Sequence, residues 1–352
     1  MIRKQKSKKL NLELIIFLSA VLLLVIGWVV WKLWPSKVTS SVETKKPADK
    51  VCLSNNFLTN QCNEKDAQYF VYGVMIDNHS AALPTSGVSQ ASLVFEQIIE
   101  MPITRLLAVF TSNTDAAKIG PVRSARPFYV DYATQFNMPY LHVGGSDAAL
   151  NMLKNFAYDV NEFYLSKYFY RSILRSEPHN TYTSSTSVLK LARDKNWLPD
   201  LAVAKEPFFL FAPELKIEER GESQEIVLPF SDKEYEVVWR FDREKNQYER
   251  FQGGVAYKDA SNGEQIAAKN IVVIFTDMSV IDSYGRLKVK TVGSGDAVII
   301  NNGLIRQATW NRESDGLFKF KYLSGNSAAF VTGSTWIEIL PREKKDKVIL
   351  SF

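Results

Sequence analysis

Two arginines three residues apart are the side chains with the clearest chemical meaning in this sequence. Arg123 and Arg126 follow Gly120-Pro121 and lead into an aromatic run that begins at Phe128. A guanidinium is always charged and grips a carboxylate or phosphate with two parallel hydrogen bonds. The run predicts a helix, whose first backbone N–H groups also favour negative charge. The sequence therefore predicts a local anion site, with Arg105 as a third cation.

The three histidines of the chain lie at the ends of predicted strands or in short loops. Ligands of open α/β sheets bind outside the carboxyl ends of strands. We therefore expect His79, His142 and His179, with Asn180, to line the same site in polar binding or acid–base roles. Structural hydrogen bonding and a metal site are the alternatives, but no HExxH or comparable spacing supports a metal. We predict neither a metal nor a cofactor.

A glycine pair follows the strand that contains His142. Gly144-Gly145-Ser146 lies between a predicted strand and a predicted helix, where backbone N–H groups can cradle an anion. The spacing matches neither a phosphate loop nor a dinucleotide fingerprint. We include these three residues in the predicted anion site.

Two carboxylates complete the candidate site. Glu96 and Glu100 lie four residues apart in ASLVFEQIIEMP and share one face if that run is a helix. With His179 they are the candidate catalytic residues. A solvated helix edge, or fixed ion pairs with Arg105, Arg123 and Arg126, explain the two glutamates equally well.

The first residues of the chain predict an attachment to a membrane. Five bases between Arg3 and Lys9 precede an apolar run, residues 14–31, that carries no charge. A span of about 17 to 25 apolar residues crosses a bilayer as a helix, and the basic side stays in the cytoplasm. We therefore predict a single-pass protein of the cell membrane with most of its chain extracytoplasmic. A cleaved signal peptide is the alternative.

Charge and cysteine content agree with that compartment. Most of the formal charge of +5 lies in the N-terminal tail, so the rest of the chain is nearly neutral and lacks the broad basic surface of nucleic-acid binders. Cys52 and Cys62 are the two cysteines. A disulfide between them suits an oxidising exterior, with two free thiols as the alternative.

The residue pattern divides the chain into seven segments: a basic tail (1–13), a membrane helix (14–31), a polar stalk (32–50), a cysteine loop (51–66), an α/β domain (67–211), a charged linker (212–223) and a β-rich domain (224–345). Alternating strand-like and helical runs predict a mixed sheet in the α/β domain. Strand-like runs punctuated by turns such as Asn302-Gly303 predict an all-β domain, an antiparallel sandwich or barrel. The predicted fold class is α+β overall.

Aromatic side chains of the β-rich domain have two interpretations. Tyr248, Arg250, Trp310 and Trp336 could form a platform for a sugar ring or a peptide. Aromatic residues in strands are more often part of the core.

Several motifs resemble those of the YerB-like family of bacterial envelope proteins. They are GPVRSAR at 120–126, HVGGS at 142–146, PHNTYTS at 178–184 and, further on, NIVV, GSG and GSTWIEILP. The resemblance covers about Tyr69 to Pro341 and implies an extracytoplasmic protein with an α/β part and a β-rich part, of uncharacterised role. Two features depart from the family: Met101-Pro102 stands where relatives carry a glycine pair, and the predicted anchor is a helix where many relatives are lipoproteins.

These observations lead to three hypotheses of function. The first is a protein that binds an anionic envelope component, such as a peptidoglycan stem peptide or a phosphate-bearing polymer, through the arginines and histidines. The second is a hydrolase or transferase acting on such polymers, with glutamate and histidine as acid and base. The third is a protein-interaction module that uses the β-rich domain.

Overall fold

A computed structural model describes residues 3–33, 54–63, 69–201, 207–222, 225–314 and 316–351 of the chain. The chain divides into two units, Met1–Lys50 and Val51–Phe352. Cys52 lies outside the described residues, so the predicted Cys52–Cys62 disulfide stays a prediction, although Cys62 is not a free thiol.

Helix α1, Arg3–Leu33, is the described part of the first unit. It includes the apolar run 14–31 and most of the predicted basic tail. Among the side chains that the structure describes, no helix offers a stretch long and apolar enough to cross a membrane. The membrane span predicted at 14–31 is therefore not supported by this structure.

The described residues of the second unit include four short helices: α2 Pro127–Thr134, α3 Asp147–Leu153, α4 Glu162–Leu165 and α5 Ser185–Asp194. The helix predicted behind the arginines is α2. Pro127 occupies its first position, where the missing N–H costs nothing and the fixed φ suits a helix. Arg126 is the extended residue just before the helix, so both arginines precede it.

A ten-stranded sheet forms the centre of the second unit, in the order β21-β20-β19-β16-β23-β4-β5-β3-β6-β7. Its strands are β3 Val71–Asp77, β4 Leu93–Glu100, β5 Ile103–Thr111, β6 Tyr140–His142, β7 Asp159–Asn161, β16 Asn270–Thr276, β19 Gly293–Asn301, β20 Leu304–Arg312, β21 Lys319–Tyr322 and β23 Thr335–Pro341.

A second sheet has the order β14-β13-β12-β11-β24, and β15 also pairs with β13. Its strands are β11 Glu225–Pro229, β12 Glu236–Asp242, β13 Gln247–Gln252, β14 Val255–Ala256, β15 Ala267–Ala268 and β24 Ile349–Ser351. Two-stranded sheets are formed by β1 Ser54–Asn55 with β2 Cys62–Asn63, β8 Tyr170–Arg171 with β9 Thr181–Tyr182, β10 Leu210–Ala212 with β22 Ala329–Val331, and β17 Met278–Val280 with β18 Leu287–Val289.

The ten-stranded sheet joins strands from both predicted domains. Strand β23 pairs in parallel with β16 on one side and with β4 on the other. The α+β class and the mixed sheet are confirmed, but the expectation of purely antiparallel pairing beyond residue 224 is wrong. Parallel neighbours need a long connection, and strands β17 to β22 lie in the connection between β16 and β23.

Three further sequence predictions can be compared with the fold. Asn302 and Gly303, both with positive φ, form the predicted turn between β19 and β20. Tyr248, Trp310 and Trp336 are buried, which confirms the core interpretation and leaves no aromatic platform. The run that contains Glu96 and Glu100 is strand β4 and not a helix.

Candidate functional site

Three sequence motifs, GPVRSAR at 120–126, HVGGS at 142–146 and PHNTYTS at 178–184, meet at the carboxyl ends of the parallel strands β3 and β6. The segment that carries the two arginines runs between these ends: Arg123 N donates to the carbonyl of Met75, and the Arg123 carbonyl accepts from Val143 N. The same segment bonds to the loop that follows His179, through Val122 N and the carbonyl of Thr181. The segments with Arg123, Val143 and Thr181 are therefore joined by backbone hydrogen bonds next to the ends of strands β3 and β6.

The histidine cluster consists of Asp77, His79, Arg123 and His179. Its centre is the Asp77 carboxylate, which is 1% exposed. Oδ1 accepts from the backbone N of His79 at 3.1 Å, and Oδ2 lies 2.7 Å from Nδ1 of His179. Nε of Arg123 lies 3.0 Å from the same Oδ2, so Arg123 already has a carboxylate partner within the chain.

The rings of His79 and His179 stack, with centroids 5.2 Å apart and planes 27° apart. His79 also caps a short 3-10 turn, because its Nδ1 accepts from Ala81 N at 3.1 Å. Both rings are half-buried, and no described residue bonds to either Nε2. Two of the three predicted histidines are thus brought together with polar edges available.

His142 lies apart from this pair. It is completely buried, with Nδ1 2.7 Å from the Gly144 carbonyl and Nε2 2.6 Å from Oδ1 of Asp159. Because both ring nitrogens already have partners, His142 holds the strand β6 loop and does not line the site. The expectation that it shares a pocket with His79 and His179 is wrong.

The arginine cleft is a cavity of about 450 Å³ beside the histidine cluster, lined by Glu100, Ser124, Arg126, Gly145, Ser146, Tyr284 and Arg286. Nε of Arg126 donates to Glu100 in a close ion pair, and Nη1 donates to the Ala125 carbonyl at 2.9 Å. On the other side, Nε of Arg286 donates to Oδ2 of Asp282 at 2.5 Å.

The sequence predicts a turn at Tyr284-Gly285 but gives no indication that Tyr284 and Arg286 line a site. They join the cleft because Arg286 forms a backbone bridge with Glu100, far away in sequence. Only the tertiary pairing of that turn with the end of β4 reveals them.

Arg105 bonds to the backbone of the segment that carries the two arginines and does not line the cleft. It is 4% exposed, and its Nη1 donates to the Ser124 carbonyl at 2.7 Å. Burial, with Arg126 nearby, lowers the pKa of Arg105 to about 10. Its role is to hold the segment that carries Arg123 and Arg126.

Gly145 and Ser146 form part of the cleft wall, and two of the three backbone amides of Gly144-Gly145-Ser146 are already bonded. Gly144 N donates to Oδ1 of Asn161 at 3.0 Å, and Ser146 N donates to the Ala125 carbonyl at 3.3 Å. The Ser146 hydroxyl accepts from Ala149 N as the cap of α3. An anion cradle made of consecutive amides, as the sequence suggested, is therefore not available here.

The remaining predicted residues have partners away from the cleft. Asn180 is buried and accepts from Nη1 of Arg171 at 3.2 Å. Glu96 is fully buried, with Oε2 2.6 Å from Nη2 of Arg250. Glu96 cannot act on a substrate, so the candidate acids and bases that remain are Glu100 and His179. Among the described residues, no group of three or more metal-ligating side chains is arranged around one ion.

Comparisons with known proteins identify the family. Residues 58–198 match the N-terminal domain, and residues 226–337 the C-terminal domain, of a family described as "Protein of unknown function (DUF3048)". The chain is 29% identical to the Bacillus subtilis (strain 168) protein "Putative lipoprotein YerB" over 270 residues, which are 76% of this chain and 80% of the relative.

The fold matches as well. A crystal structure of the YerB protein from Bacillus subtilis superposes with a TM-score of 0.76 at 27% identity, covering 85% of this chain and 99% of that one. The chain therefore belongs to the YerB-like family of DUF3048 proteins.

Proposed function

We propose that this chain is an extracytoplasmic, membrane-associated protein that binds an anionic component of the cell envelope in the arginine cleft. The ligand chemistry is a carboxylate or a phosphate, as found on a peptidoglycan stem peptide or a phosphate-bearing polymer. Each would be held by guanidinium N–H groups and flanking hydroxyls.

The observation that carries this proposal is the hydrogen-bond state of the two cleft arginines. Arg126 uses Nε and Nη1 inside the chain, and no described residue accepts from its Nη2. Arg286 uses Nε alone, so both of its terminal nitrogens are open among the described residues. Donors from two sides of one cleft are thus left for a ligand oxygen.

The hydroxyls of the cleft add polar contacts that suit an oxyanion. Ser124, Ser146 and Tyr284 line the same cavity as the two arginines. Glu100 and Asp282 balance the two positive charges, so the cleft attracts an anion only where that anion replaces or shares a carboxylate. This requirement favours a ligand with a planar or tetrahedral oxyanion over a diffuse negative surface.

The proposed extracytoplasmic location rests on the similarity to the Bacillus subtilis protein and is independent of the arginine cleft. The Bacillus subtilis relative is named as a lipoprotein, which favours a position outside the cytoplasm and next to the membrane. A single pass with a cytoplasmic N-terminus is the finer proposal, and the sequence of residues 1–31 together with the exposed apolar side chains of α1 supports it. Protease treatment of intact cells should digest the second unit; full protection would contradict this location.

Binding can be tested by calorimetry with the full-length chain in detergent. One probe is a disaccharide-tripeptide muropeptide, which carries carboxylates; the other is a glycerol phosphate oligomer. A charge-assisted hydrogen bond contributes about 1.5 to 3 kcal/mol, so we expect Arg126→Ala to weaken binding of the preferred probe by about tenfold or more.

The matched control is Arg342→Ala. Arg342 is also a partly exposed arginine in an ion pair, with Asp277 at 2.7 Å, but it does not line the cleft. Its replacement should leave the affinity unchanged. Absence of binding of both probes to the wild type, or equal losses in the two variants, would refute the proposal.

A further inference from the structure

The two stacked histidines are held in opposite protonation patterns by their neighbours. A carboxylate accepts hydrogen bonds only, so Nδ1 of His179, 2.7 Å from Oδ2 of Asp77, carries the proton. In the neutral ring, Nε2 of His179 then has a lone pair. His179 can therefore accept a proton at Nε2.

His79 has the reverse arrangement. Its Nδ1 accepts from the backbone N–H of Ala81 at 3.1 Å, so Nδ1 has the lone pair. The proton of the neutral ring is then on Nε2, which acts as a donor. The two stacked rings therefore offer one hydrogen-bond acceptor, Nε2 of His179, and one donor, Nε2–H of His79.

We propose that His179 and His79 form an acid–base centre that hydrolyses a carboxylic ester, with Asp77 as the residue that positions His179. This activity goes beyond the binding function proposed above and does not depend on it, because neither histidine lines the arginine cleft. An ester suits this centre because its carbonyl oxygen needs one good donor and its leaving alkoxide needs one proton.

Buried and charged neighbours hold His79 and His179 in place. Asp77 is buried and accepts from the backbone N of His79 as well as from the ring of His179, so one carboxylate bonds to both residues. Arg123 lies against the same carboxylate and also reaches the carbonyl of Pro178, next to His179, at 3.5 Å. The side chain of His179 is 17% exposed, so part of this side chain is in contact with solvent.

The reaction balances without any further reagent. Nε2 of His179 takes a proton from a water molecule while the water oxygen bonds to the carbonyl carbon of the ester. The carbonyl oxygen becomes an oxyanion that accepts from Nε2–H of His79. The intermediate then collapses, the bond between the carbonyl carbon and the alkoxide oxygen breaks, and His179 returns its proton to the alkoxide. The products are a carboxylic acid and an alcohol.

The first test is the hydrolysis of p-nitrophenyl acetate by the full-length chain, followed by the release of p-nitrophenolate. General base catalysis contributes about 10²- to 10⁴-fold, so we expect His179→Gln to lower kcat/KM by at least about 100-fold. Arg342→Ala, whose ion pair with Asp277 lies outside the cleft and the histidine cluster, should leave this rate unchanged. A wild-type rate no higher than that of His179→Gln would overturn the proposal.

The second test does not depend on turnover, and its first measurement uses the wild-type chain alone. Long-range ¹⁵N NMR spectra of the wild-type chain should show the Nδ1–H tautomer for His179 and the Nε2–H tautomer for His79. Asp77→Asn removes the carboxylate and should shift His179 towards a mixture of tautomers, whereas a merely structural role of Asp77 would not change them. The opposite tautomer at either ring in the wild type would overturn the proposal.

Discussion

Strand β4 carries two glutamates, and each is paired with an arginine from a distant part of the chain. Glu96 and its partner Arg250 are both completely buried. Glu100 and Arg126 are 20% and 16% exposed at their side chains and line the arginine cleft. A glutamate–arginine pair stabilises the fold where water is excluded. The same kind of pair can bind a ligand where water has access.

The buried pair belongs to a network that links the two halves of the sequence. Oε1 of Glu96 accepts from Asn78 at 3.0 Å and from Thr104 at 2.8 Å, while Oε2 accepts from Arg250. The Arg250 guanidinium also lies 4.1 Å from the ring centre of Tyr257. Since a ligand cannot reach these groups, they fix the packing of β4 against the strands that follow residue 224.

A third charged group lies beside this pair. Glu338 on β23 is in direct register with Glu96 on β4 and is also fully buried. Burial, with the Glu96 carboxylate next to it, raises the pKa of Glu338 well above its usual range. Glu338 therefore binds a proton more readily in the folded chain than in the unfolded chain, next to the buried pair of Glu96 and Arg250.

Removal of Arg250 should produce the largest change in stability. Arg250→Ala leaves Glu96 buried without its counter-ion, and breaking a buried ion pair costs about 3 to 5 kcal/mol. We expect that loss in the free energy of unfolding, measured with urea. The matched control is Arg240→Ala, whose side chain is 53% exposed and pairs with Glu225; exposed pairs contribute about 1 kcal/mol or less. Equal losses in the two variants would show that the network is not as isolated from water as described.

The raised pKa of Glu338 predicts a smaller, pH-dependent effect on stability. Its pKa is higher in the folded than in the unfolded chain, so its contribution to stability is complete below the unfolded pKa and is lost progressively as the pH rises towards the folded value. The Glu338→Gln side chain cannot ionise, and the free energy of unfolding of this variant should fall less than that of the wild type between pH 5 and pH 8. Parallel curves for the two chains would contradict a raised pKa.

The strand conformation and burial of Glu96 could not be predicted from the sequence. An apolar run with two acids four apart fits an amphipathic helix as well as a buried strand, because period and length do not separate the two for short runs. The acid is tolerated in the core only because Arg250, 154 residues later in the chain, neutralises it there. No local sequence pattern predicts such a partner.

The backbone of the site was more predictable than its side-chain contacts. Turn residues and strand ends identified the loops with His79, Arg123 and His179, because ligands gather at the carboxyl ends of parallel strands. Which of their polar atoms remain available depends on tertiary partners such as Asp77 and Asp159. His142 has the same sequence context as the others and yet has both ring nitrogens bonded.

The central claim is that an anion takes the place of Glu100 on Arg126, and Glu100→Gln tests it most directly. The neutral amide of this variant cannot compete as a charge, so the guanidinium of Arg126 becomes more available while the shape of the cleft is kept. An ion pair that water reaches contributes on the order of 1 kcal/mol, so calorimetry should show the probe that binds the wild type binding Glu100→Gln up to about fivefold more tightly. Weaker binding by Glu100→Gln would contradict the claim, because it would make Glu100 part of the binding surface and not the group that the ligand replaces.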